Sequence, residues 1–99
     1  MDERISNHNQ VQQLLNKIKK HIDNDSINAI QNYLDVQEYE MAFEAIFLEL
    51  FEMNINPFYQ ERDRIIELAI AMNLNDENNI VLGGKNFWEK LNQFVNRPT

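Results

Sequence analysis

The stretch 38–53, EYEMAFEAIFLELFEM, constrains the fold of this chain more than any other. It holds no Gly or Pro, and on a helical wheel of about 100° per residue Tyr39, Phe43, Ile46, Leu50 and Met53 gather in one narrow arc flanked by Ala42 and Phe47. That arc is a core stripe, each buried member of which contributes about 1.5–3 kcal/mol. The other side of the wheel is mixed. Glu40, Glu44, Phe47 and Phe51 form one stripe; Met41, Ala45, Leu48 and Glu52 form another. A solvated face does not need Met41, Leu48 and Phe51, and a buried face does not accept Glu40, Glu44 and Glu52. Two arrangements fit. In one, the helix is the hub of a small bundle and its glutamate heads reach solvent between neighbours. In the other, apolar anchors ringed by carboxylates form part of a partner-binding surface.

The rest of the chain is also helical in period. Val11, Leu14, Leu15, Ile18 and Ile22 recur at three- and four-residue steps, with Lys17, Lys19 and Lys20 in the last turns, where cations complement the helix dipole. Asp25 reads as an N-cap before Ile27, Ile30 and Leu34. Asp35-Val36-Gln37-Glu38 resembles a capping box that starts the central helix; a single bent helix over 26–53 is the competing reading. Asn56 as N-cap with Pro57 at the first helical position starts a helix burying Phe58, Ile65, Leu68, Ala69 and Met72. After the irregular stretch NLNDENNIVLGG, a last helix turns Phe87, Trp88, Leu91, Phe94 and Val95 inward. No period-two pattern persists. The expectation is an all-α, compact single-domain bundle of about five helices, over about 7–22, 26–35, 36–53, 57–73 and 85–95.

Ninety-nine residues suit one core. The net charge of −7 is uneven: between Lys20 and Arg62 lie Asp23, Asp25, Asp35, Glu38, Glu40, Glu44, Glu49, Glu52 and Glu61, with no Lys or Arg. Such a block repels nucleic acid and anionic membrane and attracts a cationic partner, or else only keeps the protein soluble. No signal peptide or membrane span is visible, so a cytoplasmic protein is expected.

Residues with catalytic chemistry are few. The absence of Cys excludes disulfides and thiol chemistry. Ser6, Ser26 and Thr99 are the only hydroxyl nucleophile candidates, and the two serines read more simply as caps. His8 and His21 lack the spacing of a metal pair. Asp23-Asn24-Asp25 opens like a calcium loop, but Ile27 and Asn28 stand where a ligand and the turn glycine belong. Gly83-Gly84-Lys85 lacks the spacer and Ser/Thr of a phosphate loop. These residues predict no enzyme, no metal and no cofactor.

The segment Glu38-Tyr39-Glu40-Met41-Ala42-Phe43-Glu44 resembles the EYxxAFE segment of small bacterial immunity proteins of the Maf and contact-dependent-inhibition types. The similarity extends over roughly 25–95, through an N-x-P helix start, the IIELAIAMNL helix and a terminal helix opening with Phe87-Trp88. The resemblance implies a cytoplasmic protein that binds and neutralises a cognate toxin domain, in many such systems a nuclease, and above all an RNase, with a basic cleft. An acidic helical surface suits that task. Asp35, Glu38, Glu40, Glu44 and Glu52 are therefore expected at or beside the interface, with Tyr33, Met41 and Phe51 as anchors and Asp23, Asp25, Asp76 and Glu77 as second-rank candidates. The expected complex is 1:1, with no direct nucleic-acid or membrane contact. A helical adaptor unrelated to toxins, and a homodimer covering Met41, Leu48 and Phe51, are the alternatives.

Overall fold

Five helices form where the apolar periodicity places them. A computed structural model of the chain describes residues 3–98, without the side chains of Glu3 and Arg4; Thr99 lies outside them. The helices are α1 (Glu3–Ile18), α2 (Asn24–Asp35), α3 (Tyr39–Met53), α4 (Arg62–Ala71) and α5 (Phe87–Val95), and no strand occurs among the described residues. No helix there is long and apolar enough to cross a membrane.

The boundaries depart from the sequence reading in instructive ways. α1 begins at Glu3 and tightens into a 3₁₀ turn over Lys19–His21. Asp23, not Asp25, caps α2: its carboxylate accepts the Ser26 N–H at 2.8 Å, and that bond holds the carboxyl below its ordinary value. Asp35 does not open the central helix but closes α2, and Glu38 stands at the N-cap of α3 without a side-chain cap bond. Asn56 accepts the Phe58 N–H at 3.1 Å in a turn that leads into a 3₁₀ segment, so α4 starts at Arg62 rather than Pro57. The last helix starts at Phe87 rather than Lys85.

Three helices end in one backbone device. Glu38 N–H donates to Tyr33 O and Gln37 N–H to Leu34 O; Ile55 and Asn54 repeat the pattern on Leu50 and Phe51, as do Leu74 and Asn73 on Ala69 and Ile70. These are Schellman closures, which need a left-handed residue at the turn. Gln37 (φ 66°), Asn54 (φ 55°) and Asn73 (φ 61°) supply it. Asn tolerates that region; Gln does so at a strain cost. Gln37→Gly is therefore expected to raise stability by about 0.5–1 kcal/mol. Thermal denaturation checks this, and an unchanged or lower midpoint would contradict it.

The core is built around α3, which packs against α1 and α2, while α4 packs against α1 and α5. Phe43, Ile46, Phe47 and Leu50 of α3 are fully buried with Val11, Leu15, Ile18, Phe58, Ile65 and Phe87. Side-chain pairs fix the directions of the helices. Gln12 and Gln31 exchange amide hydrogen bonds at 2.9 Å, and His8 Nε2 donates to Leu34 O at 3.0 Å, so α1 and α2 are antiparallel. Lys17 pairs with Glu61 and Arg64 donates to Gln13 at 3.1 Å, so α1 and α4 are antiparallel too. Ser26 donates to Glu49 at 2.8 Å, setting the start of α2 beside the later turns of α3. One end of the bundle thus collects the start of α1, the ends of α2 and α4, and the start of α3.

Candidate functional site

That end holds a shallow groove of about 260 Å³ lined by Glu38, Glu40, Met41, Met72, Asn73, Asn79 and Val81. The left-handed turn at Gln37 swings α3 off α2 and leaves Glu38 exposed and Glu40 half-buried on its first turn. The Schellman closure at Asn73 ends α4 against them, and the link carrying Asn79 and Val81 forms the far wall. Two carboxylates therefore line the groove with Met41, Met72 and Val81, and no Lys or Arg lines it among the described residues. Among the described residues the five large apolar side chains left exposed, Ile5, Val36, Ile70, Val81 and Leu82, belong to segments that meet at this end.

The structure separates the expected interface residues. Glu38, Glu40 and Met41 come together in the groove, and Asp35, exposed and hydrogen-bonded by Gln31 at 3.0 Å, lies one turn away in sequence. Phe51 and Glu52 lie near the other end of α3, about 18 Å from Glu40 along the helix axis. Phe51 is half-buried in an aromatic cluster, 5.0 Å from Phe94 and 5.8 Å from Phe87 between ring centroids. Tyr33 is half-buried and packed against the core. Asp23 and Asp25 belong to the opposite end, at the start of α2. Asp76 caps a 3₁₀ turn, accepting the Asn78 N–H at 3.0 Å, and Glu77 lines a separate hollow with Lys85, Trp88, Glu89 and Asn92.

Glu44 is the correction. Expected at the interface, it is fully buried, with 0% of its surface exposed. Its Oε1 accepts the backbone N–H groups of Val81, Leu82 and Gly83 at 3.1, 2.9 and 2.9 Å, and Val81 also reaches Oε2 at 3.2 Å. The buried face accepts this glutamate because the bent link, outside helix or strand, has three successive donors with no other regular partner. Each side removes the other's desolvation penalty. The glycines follow from the same packing. A Cβ at Gly83 would lie 2.3 Å from the Phe87 ring, and Gly84 takes φ +77°.

Sequence reasoning missed Val81, Leu82, Met72, Asn73 and Asn79. One signal was present: Glu44 falls on the wheel within the Phe47 and Phe51 stripe, where a carboxylate needs donors, and the glycine-bearing link was the segment with unassigned N–H groups. Comparison of the chain with protein families, curated proteins and solved structures finds no match.

Proposed function

We propose that this protein is an immunity protein: it binds a cognate bacterial toxin domain, a nuclease with a basic substrate cleft, and blocks it by presenting the acidic end of the bundle. The resemblance of residues 38–44 to the EYxxAFE segment supplies the toxin class. One structural observation supports the manner of binding: Glu38 and Glu40 line the groove beside Met41 and Val81, with no cation in it among the described residues. Unpaired carboxylates attract a positive cleft at a distance, and complementary fields raise association from about 10⁵–10⁶ to 10⁸–10⁹ M⁻¹s⁻¹ at low salt. Charge alone gives a complex that salt dissolves; desolvated apolar contacts at Met41 and Val81 slow its dissociation. The interface is thus narrower than the acidic block of the sequence, because Glu44 is enclosed and Glu52 lies along the helix from it.

Co-expression with candidate nuclease toxin domains tests the proposal. Wild-type protein is expected to restore growth and to abolish nuclease activity at an equimolar ratio. Glu38→Gln/Glu40→Gln is expected to bind at least tenfold more weakly while keeping the wild-type melting temperature, because both side chains line the open groove. An active nuclease in the presence of equimolar wild-type protein would overturn the proposal, and a tight complex without inhibition would favour the adaptor alternative.

A further inference from the structure

We infer that residues 80–84 form a preorganised recognition loop, with Val81 and Leu82 as apolar anchors for a cationic segment of a protein partner and Glu44 as the positioning residue behind them. The inference rests on the cationic partner class proposed above and assigns the part of the surface that would discriminate among such partners.

Three observations converge on this loop. Val81 and Leu82 are 66% and 37% exposed, adjacent in sequence, and lie in the stretch of backbone that the Glu44 carboxylate holds. Scattered exposed apolar residues need no explanation; two consecutive ones on a backbone held from beneath are different. A solvated link would satisfy its own N–H groups with water and would need no buried carboxylate. Val81 is also a wall of the acidic groove, so the clamped element and the binding surface share a residue. Fixing the loop before contact lowers the ordering entropy that docking would otherwise require.

The occupant follows from charge and shape. Glu38 and Glu40 fit a guanidinium or ammonium head, while Met41 fits its methylene stem. An apolar side chain next to that cation then covers Val81 and Leu82. An extended segment with arginine and leucine two positions apart turns both to the same side. A basic, apolar-flanked loop of a protein therefore fits, whereas an anionic membrane or nucleic acid is repelled by the carboxylates.

Nuclear magnetic resonance titration of the ¹⁵N-labelled 99-residue chain with two synthetic peptides tests the loop. One peptide carries an Arg-x-Leu unit; the other replaces leucine by serine. The leucine peptide is expected to shift the amides of 38–41, 72–73 and 80–84, with Gly83 and Gly84, the only glycines, as isolated reporters. Val81→Ser/Leu82→Ser is expected to keep the wild-type melting temperature within a few degrees and to weaken the leucine peptide about tenfold, but to leave the serine peptide unchanged. That coupling between peptide leucine and loop is a readout that mere destabilisation does not produce. Glu44→Gln is expected to speed amide exchange at 81–83 and to weaken the same peptide. Equal affinity of wild type and loop variant for the leucine peptide, or no shift at 80–84 up to the peptide's solubility limit, would overturn the inference. Failure of toxin neutralisation with the coupling intact would remove the toxin reading alone.

Discussion

Glu44→Leu is expected to destabilise this protein by about 2–4 kcal/mol, although it replaces a buried carboxylate by an apolar side chain in an apolar neighbourhood. The usual outcome runs the other way, because well-packed hydrophobic replacements of buried charges are often neutral or stabilising. Here the carboxylate is the acceptor for Val81, Leu82 and Gly83. Removing it strands three N–H groups, each left unsatisfied at about 1–3 kcal/mol unless the link peels away to water. Peeling limits the loss but withdraws Ile80 from the core edge. The local signature is therefore as informative as the global one: hydrogen exchange at 81–83 is expected to accelerate far more than exchange in α1 or α3. Glu44→Gln, which keeps one acceptor oxygen and loses the charge, is expected to fall between wild type and the leucine variant. A leucine variant as stable as wild type, with 81–83 still protected, would show that the clamp contributes nothing.

Asn56→Asp is expected to lower stability by about 3 kcal/mol or more, for the exchange of a single NH₂ group for oxygen. Asn56 is buried, and its Nδ2 donates to the carbonyls of Phe94, Val95 and Arg97 at 3.1, 3.1 and 2.9 Å. Phe94 and Val95 close α5 and Arg97 follows its C-cap, so these carbonyls lie at the end where the helix dipole is negative. A carboxylate there meets three acceptors and the wrong end of a dipole. Its pKa would be raised in the folded state, so the defect grows as pH rises through the unfolded value of about 3.9 and shrinks again in acid. Urea denaturation of variant and wild type across that range measures the difference. A defect independent of pH would mean that lost packing, not charge, dominates. Asn56→Ala separates the two, since it removes the donors without adding an anion.

Much of the fold could be read from spacing, because burial is periodic within a helix. Val11, Leu14, Leu15 and Ile18, then Phe43, Ile46 and Leu50, and finally Phe87, Leu91, Phe94 and Val95 are buried as their spacing predicts. Helix ends were less legible. Asp23 and Asp25 both suit an N-cap, and only the turn at Ile22 decides between them; a left-handed Gln37 carries no glycine to announce it. The site was legible in composition and not in direction. A uniform run of acids fixes a sign, but chain reversals decide where each one faces, so Glu40 opens onto a groove while Glu44, one turn further, is enclosed. Its partners lie 37 to 39 positions away, a pairing that no local pattern encodes. The mixed faces of α3 have their explanation there: neighbours cover it on two sides, and one of its glutamates is held inside by backbone.

Stopped-flow association of this protein with the nuclease domain, followed from low to high salt for wild type and Glu38→Gln/Glu40→Gln, tests most directly whether the acidic end docks on a cationic cleft. The wild-type rate is expected to fall steeply with salt, and the variant to associate more slowly at low salt and to lose less as salt rises. Equal rates for the two proteins at every salt concentration would contradict docking through the Glu38–Glu40 groove.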